Sequence, residues 1–83
     1  MAVQVKVRLF STVREIVGER ELYLSVGTEA TVAAVWHELV EQHPSLDRLS
    51  GSVRAAVNQE HTDFDRALHP EDEVALFPPV SGG

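Results

Sequence analysis

No cysteine occurs in the 83 residues. A disulfide framework, a thiolate metal site and a cysteine nucleophile are therefore excluded. Positive charge is scarce: seven Lys and Arg stand against thirteen Asp and Glu, for a net charge of −6. Nucleic-acid binders need clustered cations to release phosphate counterions, and an anionic membrane surface makes a similar demand, so neither is an expected partner. The acid excess favours a partner with a basic docking face, through electrostatic steering. No uncharged apolar run approaches the ~20 residues that cross a bilayer. The start, Met1-Ala2-Val3-Gln4-Val5-Lys6, lacks the apolar stretch of a signal peptide, so the expected location is cytoplasmic. The five glycines, at 18, 27, 51, 82 and 83, are too scattered to cradle a phosphate. His37, His43, His61 and His69 lack the i, i+4 spacing of helical metal ligands. His61, Asp63 and Asp65 alternate and would share one strand face, but nothing nearby completes a ligand set, so no metal site is expected. Without a nucleophile–base pair in view, the chain is not expected to be an enzyme by itself.

What is present is an unusual ending. Gly82-Gly83 follow Pro78-Pro79 with only Val80 and Ser81 between, and Glu73 is the last ionisable side chain. Disordered tails are usually polar or charged, so a ten-residue uncharged end reads as a segment meant for a pocket. Val74 to Phe77 reads as a strand. The two prolines then remove backbone donors and fix φ, which ends the strand and drives the chain out extended. Pro79 to Gly83 spans at most ~13 Å, enough to reach the floor of a partner's pocket. Paired glycines present the main-chain carboxylate with no Cβ to hinder attack and let the backbone enter a narrow slot.

The rest of the chain supplies one compact domain over residues 1–79, leaving 80–83 as a flexible Gly-Gly tail. Val3, Val5, Val7 and Leu9 alternate with Gln4, Lys6 and Arg8, the period-two pattern of a half-buried strand. Ser11-Thr12 are expected to cap a short helix that Gly18 stops. Leu22, Leu24 and Val26 mark a second strand. Val32, Val35, Trp36, Leu39 and Val40 form one apolar stripe of a helix over about 32–42, capped by Thr31 or Thr28 and limited by Pro44. Trp36 is expected in the core. Residues 45–52 read as a connection, Val53 to Val57 as a strand turning at Asn58-Gln59, and Thr62 to Asp65 as a short extended piece. His69-Pro70-Glu71-Asp72 is expected to be a type I turn, because Glu71 resists the positive φ of type II. One long helix amid four or five strands makes an α+β domain: a mixed sheet with the helix packed on one face. The last strand returns beside the first, in parallel, which is the β-grasp arrangement of ubiquitin-like proteins. Leu9 and Phe10 would then meet Phe77 and Pro78 in an apolar, partner-facing collar at the base of the tail.

Such a tail can carry chemistry without an internal active site. Adenylation by a partner turns the carboxylate into an acyl-adenylate. A persulfide sulfur can then attack to leave a thiocarboxylate, or a thiol or amine can attack and conjugate the whole protein. The absence of cysteine suits the first fate, since sulfur would be held at the chain end.

Leu9-Phe10-Ser11-Thr12-Val13-Arg14-Glu15-Ile16-Val17-Gly18 resembles the first-strand and helix signature of the MoaD family, the small sulfur-carrier subunits of molybdopterin synthase. Ala55-Ala56-Val57-Asn58-Gln59 resembles that family's third strand and turn. The segment Asp72-Glu73-Val74-Ala75-Leu76-Phe77-Pro78-Pro79-Val80-Ser81-Gly82-Gly83 is similar to its ending almost residue for residue. Residues 27–52 agree in pattern only, and Glu71 stands where the family commonly has Gly. The resemblance implies a β-grasp fold and activation at Gly83, assisted by Gly82, by an ATP-dependent, E1-like adenylating enzyme, with no cofactor bound to the chain itself. It implies a thiocarboxylate on Gly83 and insertion of the tail into the large synthase subunit of a heterotetramer, where sulfur passes to a pterin precursor of the molybdenum cofactor. Phe10, Phe77, Pro78, Pro79, Val80 and Ser81 would contact the partner. A ThiS-like carrier of another sulfur pathway and a ubiquitin-like protein modifier share fold and tail, and stand as alternatives. A pure interaction domain would not depend on its last two residues.

Deleting Gly82-Gly83 should leave the melting free energy within about ±0.5 kcal/mol of the parent, as for surface changes generally, while abolishing carrier activity. Thermal melts and a sulfur-transfer assay on the shortened chain check both halves. A large fall in melting temperature would place the tail against its own domain.

Overall fold

The structure, a computed structural model, describes residues 2–79; the expectations placed on Val80, Ser81, Gly82 and Gly83 lie outside the described residues. The apolar alternation at the start forms strand β1 (Ala2–Leu9), followed by helix α1 (Ser11–Val17) and strand β2 (Glu21–Gly27). Helix α2 (Val32–Gln42) and a 3-10 helix (Pro44–Leu49) lead to strands β3 (Arg54–Val57), β4 (Glu60–Thr62) and β5 (Glu73–Phe77). The five strands make one mixed sheet in the order β2-β1-β5-β3-β4. β1 pairs antiparallel with β2, Val5 opposite Leu24, and parallel with β5, Leu9 opposite Leu76. β3 lies antiparallel to both β5 and β4.

Alternation then sorts the two faces. Val3, Val5, Val7 and Leu9 of β1, Leu24 of β2, Val57 of β3 and Val74 and Leu76 of β5 point to one side and are buried. The α2 stripe of Val32, Val35, Trp36 and Leu39 covers them, joined by Val13 of α1 and by Leu46 and Leu68. Each such side chain contributes about 1.5–3 kcal/mol on burial. Trp36 is a core residue whose indole Nε1 donates to Ser50 Oγ at 3.0 Å; that hydroxyl donates to Asp47 at 3.2 Å. The opposite face, with Gln4, Lys6, Arg8, Tyr23, Glu73 and Phe77, carries no helix among the described residues. This is the β-grasp, ubiquitin-like α+β fold expected from the pattern.

Several local expectations are corrected. Neither α1 nor α2 has a side-chain cap: Phe10 and Thr31 hold the N-cap positions in extended conformation, and no Ser or Thr oxygen bonds the first turn. Ser11 instead enters the helix with φ of +50°, turning the chain sharply out of β1. Gly18 does end α1, at φ of +90°, with its N–H on the Arg14 carbonyl at 2.7 Å. The 45–52 connection is largely 3-10 helix, with Pro44 in its first turn. The extended piece near 62–65 lies earlier, at Glu60–Thr62, because the Asn58-Gln59 turn has two residues with positive φ (51° and 72°) and pairs Val57 directly with Glu60. Asp63 and Asp65 are outside that strand, so they share no strand face with His61.

Glu71 overturns the type I expectation. Its φ is +70°, the value demanded at the third position of a type II turn, and Pro70 precedes it. A left-handed residue costs roughly 1–2 kcal/mol, and the surrounding bonds offset it. The Asp72 N–H closes the turn on the His69 carbonyl at 3.1 Å, and the Asp72 carboxylate accepts from the His69 N–H at 2.8 Å. Asn58 Nδ2 donates to the same carboxylate at 3.0 Å, while Asn58 Oδ1 accepts from the Glu73 N–H at 3.0 Å. The Lys6 N–H donates to the Asp72 carbonyl at 3.1 Å. One buried acid therefore ties the β3–β4 turn, the turn before β5 and strand β1 together.

Burial works against the Asp72 charge, yet the His69 N–H, the Asn58 amide and the nearby His69 and Arg66 side chains outweigh it and hold its carboxyl below the ordinary value. A depressed folded-state pKa gives stability that is complete above the unfolded value of about 3.9 and is lost as pH falls through the folded value. Asp72→Asn should cost about 1–3 kcal/mol near neutrality by leaving donors poorly matched. The difference from the parent should shrink below about pH 4 in denaturant melts. A gap as wide at about pH 2 as at about pH 7 would contradict this role for the carboxylate.

Candidate functional site

Parallel pairing brings the C-terminal ends of β1 and β5 to one end of the sheet. There the Phe10 N–H donates to the Leu76 carbonyl at 3.2 Å, and the Phe10 carbonyl accepts from Val13 and Arg14 at 3.1 and 3.3 Å. With its backbone so engaged, Phe10 continues the β1 alternation and turns its ring to the open face, where it is 37% exposed. Phe77, half-buried, meets it edge to face with ring centroids 6.5 Å apart and planes at 80°. Such pairs add about 0.5–1.5 kcal/mol beyond area burial. Pro78 is half-buried and Pro79 exposed. Of the collar expected from sequence (Leu9, Phe10, Phe77 and Pro78), Phe10 and Phe77 meet, and Pro78 follows Phe77 along the chain. Leu9 is not part of it: at 2% exposure it belongs to the core, since strand alternation sends it to the helix side.

Two contributors went unrecognised in the sequence. His61 stands edge-on to Phe77, with centroids 5.5 Å apart and planes at 90°. It reaches Phe77 from β4 across Ala56 of β3, a residue with no atom beyond Cβ to block the way. The two-residue Asn58-Gln59 turn could have placed His61 opposite Ala56, as the register confirms. Arg8 is the second, its guanidinium 5.4 Å from the centre of the Phe10 ring, within cation–π range.

The electrostatics also differ from the whole-chain balance. Lys6 pairs with Glu21 and Glu73 at 3.4 and 3.7 Å, and Arg8 with Glu73 at 4.0 Å. A hollow of about 480 Å³ beside Phe10 is lined by Arg8, Leu9, Arg14, Arg20 and Glu21. A second, of about 290 Å³, is bounded by Arg54, His61, Phe77 and Pro79. Arginine predominates among the charged groups around the collar, although the chain as a whole carries −6. The basic partner face expected from net charge does not describe this end of the molecule. Among the described residues no cluster of three or more His, Asp or Glu could hold a metal ion, and no helix is long and apolar enough to cross a membrane.

An aromatic collar on a β-grasp sheet, set where the chain runs to Gly-Gly, fits a particular lineage, and a match to the ThiS family runs over residues 7–83. The chain belongs to that family. It is 37% identical over 82 residues to the molybdopterin synthase sulfur carrier subunit of Arabidopsis thaliana, covering 99% of this chain and 85% of the relative. The subunit of the same name from Escherichia coli is 42% identical over 89 residues, with 95% and 99% covered. Among solved structures, small archaeal modifier protein 1 of Haloferax volcanii superposes with a TM-score of 0.83 at 31% identity, over 94% of this chain and 99% of that one. The resemblance carried by Leu9–Gly18 and the ending therefore extends through nearly the whole chain.

The collar's exposure separates its energetics from the core's. Leu76→Ala, which empties a fully buried site beside the collar, should cost about 2–5 kcal/mol of stability. Phe77→Ala, on the open face, should cost less than the about 3–5 kcal/mol of a buried phenylalanine. Chemical denaturation of both variants tests the ordering. A larger loss for Phe77→Ala would make that ring a core residue.

Proposed function

We propose that this chain is the sulfur-carrier subunit of a molybdopterin synthase and acts through the carboxylate of Gly83. The observation that supports this most is the near full-length similarity to relatives bearing that name, combined with an aromatic collar at the foot of a Gly-Gly ending. An E1-like partner binds ATP, and the Gly83 carboxylate attacks the α-phosphorus with loss of pyrophosphate. A persulfide sulfur then attacks the acyl carbon of the adenylate and AMP departs. Thiol cleavage of the resulting acyl disulfide frees a thiocarboxylate. In the large synthase subunit the thiocarboxylate sulfur attacks a carbon of the pterin precursor, and that carbon's bond to an oxygen substituent breaks, the oxygen leaving with the electron pair. Water next attacks the acyl carbon, the C–S bond to Gly83 breaks, and the carboxylate is regenerated. The large subunit supplies the catalytic groups; this chain contributes the recyclable acyl end and the docking surface, and binds no cofactor of its own.

The β-grasp domain serves this chemistry by positioning. Phe10, Phe77 and the prolines anchor on the partner, so the reacting carbonyl arrives at a set distance from the anchor. A second reading, covalent attachment to other proteins, draws on the similarity to the archaeal modifier. It would use the same adenylate with a lysine amine as nucleophile, and isopeptide-linked adducts in cell extracts would reveal it.

A Cβ at position 83 would crowd the approach to the nucleotide and then to the pterin. Gly83→Ala should cut sulfur transfer severely without moving the melting temperature, and one residue added after Gly83 should be worse, shifting the carboxylate about 3.3–3.6 Å out of register. Mass spectrometry of the C-terminal peptide, after incubation with activating enzyme, ATP and sulfur donor, should show one oxygen replaced by sulfur. Normal molybdopterin synthesis by the extended chain would dismiss the tail as donor.

A further inference from the structure

We propose that the cleft bounded by Arg54, His61, Phe77 and Pro79 seats an aspartate or glutamate side chain of the large synthase subunit, beside the point where the tail leaves the domain. This rests on the sulfur-carrier reading and adds to it a polar contact that the aromatic collar cannot make.

The argument is one of uncompensated charge. Lys6 and Arg8, on the same open sheet face, are neutralised by Glu21 and Glu73. Arg54 makes no ion pair among the described residues, and no acid lines the cleft of about 290 Å³ that it borders. Asp63, with Arg54 and His61, lines the neighbouring hollow, yet it forms no ion pair with Arg54. Arg14, Arg20, Arg48 and Arg66 likewise make no ion pair among the described residues, but of these arginines it is Arg54 that stands in register with Phe77 and borders Pro79 at the foot of the tail. The walls suit a carboxylate. Phe77 and Pro79 are apolar and lower the local dielectric, which strengthens a charge-assisted bond. The planar guanidinium can donate two parallel N–H groups to the two carboxylate oxygens. His61, fixed edge-on against Phe77, can offer a ring N–H from the opposite side. Because Arg54 is the register partner of Phe77 across β3 and β5, the ionic and aromatic contacts would be made by one rigid pair.

The test is titration calorimetry of the full chain against the large synthase subunit at about 50 mM and about 500 mM salt. Arg54→Glu should weaken binding at least ~10-fold at low salt, since like charges across an interface are strongly unfavourable, and by less at high salt. His61→Phe, which keeps the ring against Phe77 but removes its N–H, should weaken binding ~2- to 5-fold. Arg48→Glu, in the 3-10 helix on the covered side of the sheet, should stay within ~2-fold, and all three should keep the parent melting temperature. Reversing the large subunit's surface acids to arginine one by one should identify a single change that restores Arg54→Glu binding. If the parent binds but Arg54→Glu binds equally well, or no reversal restores it, the cleft is not a carboxylate seat and the sulfur-carrier reading stands. If the parent chain fails to bind the large subunit at either salt concentration, the carrier reading falls and this inference with it.

Discussion

Everything at the functional end depends on the parallel pairing of β1 with β5. It joins residues 6–9 to residues 73–76, across most of the chain, and is the one parallel contact in the sheet among the described residues. Antiparallel pairing there would send the C-terminal end of β5 to the opposite edge, away from Phe10. Parallel pairing makes both strands end together, so the Phe10 N–H can reach the Leu76 carbonyl and the two rings can meet. Closing so long a loop costs entropy before any contact rewards it. The buried faces of β1, β5 and α2 offset that cost, which is why the apolar core runs beneath this strand pair.

Register matters as much as direction. A one-residue slip of β5 would turn Phe77 into the core and Leu76 to the open face, since strand side chains alternate. Two devices resist such a slip. The buried valine and leucine side chains of β5 have no comparable place on the other side. At the start of the strand, Asp72 and Asn58 hold two turns, with left-handed residues at Asn58, Gln59 and Glu71, in one hydrogen-bonded knot. The strain stored there sits at the end of β5 remote from Phe10 and Phe77, so it sets the strand's position without touching that aromatic pair.

The candidate site is a surface. Its aromatic row runs Phe10, Phe77, His61 over three strands, with cations around it in an otherwise acidic protein. That separation of charge sets this end apart from the balance of the whole chain. Apolar rings supply the area that anchors, and rim charges supply orientation at little cost in binding energy.

Much of this was legible in the residues themselves. Period-two alternation in Val3–Leu9, the stripe from Val32 to Val40, and the Pro-Pro stop after Phe77 are local signals, and each element formed where its pattern lay. The fold class followed from their order. What the sequence left open was decided by contacts between distant segments. Glu71 takes a positive φ against its own preference because Asp72, Asn58, His69 and Lys6 bind around it, and no reading of four consecutive residues contains that network. Leu9 left the collar and His61 joined it because membership is set by which face of the sheet a residue occupies. Net charge, likewise, says nothing of where seven cations gather. Periodicity and backbone chemistry are properties of neighbours along the chain, whereas register, strain and surface charge belong to neighbours in space.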